Sequence, residues 1–231
     1  YLLFKRILAE LGINTGRVAI DESTAFFIAD GINQVAPALT LIDAKCVTAG
    51  CRALKSDTEI ALLQQAKDMT IEVHKAGSYF CIVLFGEDSS YPHGVKSPKT
   101  LEKNDMVLID TGCQIEGYNS DITRTYVFGE PNQRQRDMWL VEKLAQKAAF
   151  DAANIGVPCG DVDIAARDYI ASQNMGPDYE TPGCPHRTGH GIGLDIHEWP
   201  YLIRSDRTPL AKGMCFSNEP MLVLPNEFGV R

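Results

Sequence analysis

Apolar residues recur three and four apart at the start of the chain (Leu2, Leu3, Ile7, Leu8, Leu11), which predicts a helix over 2–11 stopped by Gly12. Arg17 to Asp21 and Leu39 to Val47 predict strands, and residues 23–30 between them predict a helix ending near Gly31. This strand–helix–strand stretch is too short to own a core and is expected to be the tail of an α/β domain. Ser56-Asp57-Thr58-Glu59 has the form of an N-cap followed by acidic first-turn residues, and an amphipathic helix is expected from there to about Ala76. The pattern then changes. Phe80 to Phe85, Met106 to Ile109 and Thr123 to Phe128 predict strands separated by turn signals; residues 134–154 and 161–174 return to helical spacing, and the last 40 residues are strand-like again. Strands grouped apart from helices predict an α+β fold.

Composition narrows the class. The 231 residues are 45% hydrophobic and carry 22 Lys+Arg against 30 Asp+Glu, a net charge of −8. This length suits one large domain, or one and a part, and buries roughly 70% of the surface an unfolded chain exposes. The acidic balance and the absence of a basic run argue against nucleic acid or an anionic membrane as partner. No apolar stretch reaches the roughly 18 residues of a membrane span. Tyr1 is neither a starting Met nor part of a leader pattern, so the chain is expected to begin partway through a longer protein. The seven cysteines (46, 51, 81, 113, 159, 184, 215) are odd in number and lack a C-x-x-C pair, which argues against a zinc site and a disulfide framework. Free thiols in a reducing compartment, the cytoplasm, are expected.

Four segments carry candidate chemistry. In the stretch from Met106 to Thr125, an apolar strand ends in Asp110 and a second strand begins near Asp121. If the chain reverses near Glu116-Gly117, the two carboxylates become opposite or diagonal neighbours about 5–8 Å apart. At that separation they repel unless protonated or bridged by cations; alternatively, one caps the turn and the other is solvated. His186, His190 and His197 cluster among glycines that permit close backbone approach. Glu219 lies inside an apolar segment, where an acid needs a partner. His93, in the loop Tyr91-Pro92-His93-Gly94, is a weaker candidate.

The order Asp110, Asp121, His190, Glu219, with the text around it (108–113, 117–125, 186–198, 218–220), resembles the dinuclear-metal site of the creatinase/prolidase/methionine-aminopeptidase superfamily, whose catalytic domain has the pita-bread fold. Arg52 to Ile60 resembles the lead-in to that domain in proline-specific members, so the likeness runs over about 48–231, and residues 1–48 resemble the end of the N-terminal α/β domain of prolidases and aminopeptidases P. The resemblance implies a pita-bread domain over 49–231 and hydrolysis of the bond before proline, as an Xaa-Pro dipeptidase or an aminopeptidase P. An inactive peptidase-like binding module is the alternative. The resemblance implies two divalent ions, with Asp110 on one, Asp121 bridging, and His190 and Glu219 on the other. Carboxylates with one imidazole suit Mn²⁺ first, with Co²⁺ or Zn²⁺ possible. It further implies Glu219 as general acid/base, His93 and His197 facing the substrate, His186 in the pocket, Arg231 beside the site, and a homodimer.

The sequence departs from that pattern twice. The family carries a further bridging Glu in a Gly-Val-Arg-x-Glu segment, whereas Phe228-Gly229-Val230-Arg231 stops two residues short of it, so the site is expected to be cut at its C-terminal edge. At Ala76-Gly77 the chain passes from helix to strand where relatives add another helix, so a missing segment is expected there.

Overall fold

A computed structural model describes residues 1–73 and 80–231. The break expected at Ala76-Gly77 lies outside these. The chain forms two compact units, Tyr1–Arg52 and Ala53–Arg231.

In the first unit, α1 (Leu2–Glu10) precedes β1 (Gly16–Ile20), α2 (Phe26–Val35), β2 (Leu39–Asp43) and α3 (Lys45–Ala53), with β1 and β2 parallel from Gly16↔Leu39 to Ile20↔Asp43. Two expectations fail locally. Gly31 does not stop α2, which runs through it to Val35; the missing side chain makes room for the Tyr1 ring. The strand from Leu39 ends at Asp43 because its carboxylate accepts from the Lys45 N–H at 2.8 Å and turns the chain into α3, so Val47 is helical.

The second unit opens with α4 (Asp57–Val73). Its start is a reciprocal cap: Glu59 accepts from the Ser56 N–H at 2.7 Å and Ser56 Oγ accepts from the Glu59 N–H at 3.4 Å. There follow β3 (Phe80–Phe85), β4 (Met106–Gly112), the short pair β5 (Gln114–Ile115) and β6 (Tyr118–Asn119), and β7 (Ile122–Val127). Strands β3, β4 and β7 form an antiparallel sheet in that order. Helix α5 (Gln133–Ala152) begins at Asn132, whose side chain exchanges hydrogen bonds with Gln135, and packs against α6 (Cys159–Ser172). Their buried faces, with Val141, Ala145, Val162 and Ala166, close a core completed by Met106, Leu202, Leu222 and Val230. A smaller core joins Leu84, Leu108, Met221 and Val223.

The C-terminal stretch is less strand-rich than its apolar pattern predicts. It holds β8 (Gly189–Gly191), β9 (Glu198–Leu202), β10 (Leu222–Leu224) and β11 (Phe228–Val230), joined by loops that bond to one another through the main chain. No helix among the described residues is long and apolar enough to cross a membrane.

Candidate metal centre

Alternation along β4 sets the first ligand candidate. Met106, Leu108 and Asp110 share its buried face, so one row runs from the main core through the small core to a carboxylate. Glu116 and Gly117, with φ of 49° and 87°, make the two-residue turn that joins β5 to β6. Asp110 pairs in register with Thr123, which makes Asp121 its diagonal neighbour. The approach is tight because Gly112 has no side chain; a Cβ there would overlap the Ser120 carbonyl. Thr123 Oγ1 donates to Asp110 Oδ1 at 3.1 Å, while Asp121 Oδ1 is buried with no hydrogen-bond partner.

His190 on β8 meets this pair from the other side. Its main chain is laced to Ser217, which donates N–H to the His190 carbonyl at 2.8 Å, and Gly189 leaves room for the Ser217 carbonyl. Ring Nδ1 lies 2.9 Å from the Gly191 carbonyl, which can only accept, so Nδ1 carries hydrogen and Nε2 faces the carboxylates. Nε2 is 2.9 Å from Glu219 Oε1 and 3.5 Å from Asp121 Oδ2, yet neither contact is aligned as a hydrogen bond. Glu219 is fixed by its N–H on the Thr188 carbonyl at 2.8 Å and by Ser217 Oγ, which donates to Oε1 at 3.1 Å.

The electrostatics are those of a crowded anionic site. Burial pushes Asp110 up to about 6, the Arg231 guanidinium pulls it back, and Asp121 and Glu219 add repulsion. Burial would also raise Glu219, but His190 and Arg231 outweigh it and hold the carboxyl at about 2. Burial alone would lower His190; the carboxylates of Asp121 and Glu219 instead bring it up to about 9.

Asp110, Asp121 and Glu219 line one cleft of about 150 Å³ with His93, His186, His197 and Arg231 along its other walls, and His190 stands behind Asp121 and Glu219. His186 is edge-on to His93 at 5.8 Å, and burial with the neighbouring Arg187 lowers it to about 4. His197 packs edge-on against His190 at 4.4 Å. Donor atoms of Asp121, His190 and His197 lie within 4.8 Å of one another, and two of the group's atoms, Asp121 Oδ1 and His190 Nε2, are buried without hydrogen bonds. Carboxylate and imidazole donors left open in this way suit a divalent cation. Asp110 is engaged differently: Arg231 Nη2 pairs with it, Arg231 Nε donates to Thr123 Oγ1 at 2.9 Å, and Nε lies 3.6 Å from Glu219.

Sequence reasoning missed the supports. Buried Asp163 and Arg167 on α6 form an ion pair at 2.7 Å, and Arg167 also donates to the carbonyls of Asp178, Cys184 and His186, which fixes the segment carrying His186. Their i, i+4 spacing was the one visible signal. Ser217, Asn119 and the pair Lys55–Glu198 gave none.

The profile of metallopeptidase family M24 matches residues 38–231. The chain belongs to metallopeptidase family M24. Among M24 relatives, the chain is 43% identical over 150 residues to an Xaa-Pro dipeptidase of Pyrococcus furiosus, a match covering 65% of this chain and 42% of that protein. It is 32% identical to a putative dipeptidase, YkvY, of Bacillus subtilis, covering 99% of this chain and 70% of the relative. The match thus spans about two fifths of the length of the Pyrococcus relative. The M24 fold is borne out by the crystal structure of a dipeptidase from Pyrococcus horikoshii OT3, similar at TM-score 0.90 and 30% identity over 100% of this chain and 71% of that one. An X-Pro aminopeptidase from Thermotoga maritima is similar at TM-score 0.86 and 27% identity, covering 99% and 71%.

Proposed function

We propose that the chain is the catalytic part of an Xaa-Pro dipeptidase that hydrolyses the bond before proline with two divalent ions, manganese by preference. The observation that carries this reading is the convergence of Asp110, Asp121, His190 and Glu219 on one cleft whose other walls present His93 and His197. The dipeptidase name of the Pyrococcus furiosus relative supports the substrate class.

In this reading Asp110 would serve one ion, His190 and Glu219 the other, and Asp121 both. When bound, the ions would supply Lewis acidity, lowering the pKa of a water toward neutrality and polarising the scissile carbonyl. Glu219 would take the proton of the attacking water and hand it to the proline nitrogen as it leaves. His93 and His197 donate to the oxygen on which charge develops and to the substrate's carboxyl end, and His186 walls the pocket. Arg231, which contacts Asp110, Thr123 and Glu219 at the cleft, would suit a substrate carboxylate with its guanidinium. The seven free cysteines support a reducing compartment such as the cytoplasm, and the family resemblance supports a homodimer.

Incubation with Mn²⁺ and an Xaa-Pro dipeptide is expected to release proline. Cleavage of longer X-Pro peptides alone would move the assignment to an X-Pro aminopeptidase, the activity named for the Thermotoga maritima structure. Fewer than one bound ion per chain after Mn²⁺ loading, with no cleavage, would make it a peptide-binding module.

A further inference from the structure

His197 stands in a loop, residues 192–197, whose tip (Leu194, Asp195, His197) is exposed, yet the groups that hold this loop are buried. One is Asn119, 3% exposed. Its main-chain N–H donates to the Gly193 carbonyl at 2.8 Å, and its Nδ2 donates to the carbonyls of Gly193 at 3.0 Å and Leu194 at 2.8 Å. The amide cannot flip without loss, because Gln114 Nε2 donates to Asn119 Oδ1 at 3.2 Å and so turns the NH₂ toward the loop. The other is Glu198, which accepts the Asp195 N–H at 2.9 Å on Oε1 and the Lys55 ammonium at 3.1 Å on Oε2. The Lys55 and Glu198 side chains are 2% and 4% exposed, and the carboxylate lies so close over Gly193 that a Cβ there would meet it at 2.8 Å.

We infer that Asn119 and Glu198 are positioning residues that grip the 192–197 loop and set where His197 stands relative to Asp121. Asn119 precedes Asp121 by two residues on the same strand-to-strand passage, so the amide that grips the loop moves with the carboxylate. Glu198 adjoins His197 directly and anchors it through the Lys55 ion pair. Burying an amide and an ion pair under an exposed loop is costly compared with apolar packing. What the polar clamps add is a fixed position for loop carbonyls that apolar groups cannot hold. A misplacement of about 1 Å in such a group can cost roughly 100-fold in rate.

This inference rests on the proposed placement of His197 against the substrate, and the test separates the two. Asn119→Ala, His197→Ala and the double variant are compared in the manganese-loaded chain with an Xaa-Pro dipeptide, and amide hydrogen exchange of residues 193–197 is followed by mass spectrometry. Asn119→Ala is expected to lower kcat roughly 10–100-fold with KM little changed. The same change in the His197→Ala background should cost nothing further, because the clamp acts through that side chain. Exchange of 193–197 should rise at least tenfold while ion binding holds. An equal loss in both backgrounds, or unchanged exchange, overturns the inference. Full activity of His197→Ala would overturn instead the proposed role of His197. If Asn119→Ala does not fold, Asn119→Asp serves, since it keeps the volume and sets a carboxylate against the two carbonyls, with the same expected exchange.

Discussion

Arg167→Met should be among the most damaging substitutions outside the cleft. Arg167 and Asp163 are 1% and 0% exposed at their side chains, so the pair is taken wholly out of water. The guanidinium lies 2.7 Å from Asp163, 2.6 Å from the carbonyls of Asp178 and His186 and 2.5 Å from that of Cys184, and it stacks 3.5 Å above the Tyr179 ring. Methionine fills much of the volume but leaves the Asp163 carboxylate buried with only the Thr188 N–H at 3.2 Å and the Tyr179 hydroxyl at 3.3 Å. Orphaning one partner of a buried pair costs about 3–5 kcal/mol. The freed carbonyls add to that, though some turn to water, so about 4 kcal/mol is a reasonable expectation. Against a total of about 5–15 kcal/mol, that is a large share. At roughly 2–4 °C per kcal/mol for a chain of this size, the melting temperature should fall by about 8–16 °C. Urea unfolding checks it through a lowered midpoint at constant m-value. Arg167→Lys should recover only part, because one ammonium cannot span three carbonyls. Asp163→Leu combined with Arg167→Met should lose less than the sum of the two single changes, since no uncompensated charge remains. A single Arg167→Met loss under about 1 kcal/mol, or strict additivity in the double variant, would refute the account.

Three further outcomes can be checked. Glu142 on α5 is 6% exposed, its Oε1 has no hydrogen-bond partner, and burial raises it from 4.5 to about 7 despite Arg231. The folded chain therefore keeps a proton that the unfolded chain releases, so this group's stabilising contribution is complete below about pH 4.5 and lost as pH rises through 7. At about 1.4 kcal/mol per pH unit, Glu142→Gln should be up to about 3 kcal/mol more stable than the parent at pH 8 and equal to it near pH 4, read from thermal unfolding of the chelator-treated protein. A divalent ion at 100 times its dissociation constant should stabilise the parent by about 2.7 kcal/mol, and His190→Ala should lose most of that shift in a melting experiment with Mn²⁺. Glu219→Gln should reduce proline release by at least roughly 100-fold while circular dichroism stays unchanged; retained turnover would remove Glu219 from proton transfer.

Much of the site was legible because its residue types are rarely neutral in such places. An acid ending an apolar strand, a second acid a hairpin later and a glutamate inside an apolar run all demand partners, and the hairpin register makes Asp121 the diagonal neighbour of Asp110. The reciprocal cap at Ser56 was equally local and therefore readable. What escaped were contacts with main-chain atoms of distant segments: Arg167 on the carbonyls of the His186 loop, Asn119 on Gly193 and Leu194, Ser217 on the His190 N–H. A carbonyl acceptor has no signature in sequence, so nothing announces which side chain will reach it. The early end of β2 and the passage of α2 through Gly31 were misread for a related reason, since an Asp43 turn and the Tyr1 ring override propensity.

Gly112 and Gly189 let main chain press on main chain, at Ser120 beside Asp121 and at Ser217 beside His190. The approach of the segments that carry Asp121 and His190 is thus set in part by peptide groups, which every sequence shares. A side chain at either glycine would have to displace main chain beside a ligand. A gain of any side chain at either glycine would be an economical way to retire the centre while leaving the rest of the fold in use.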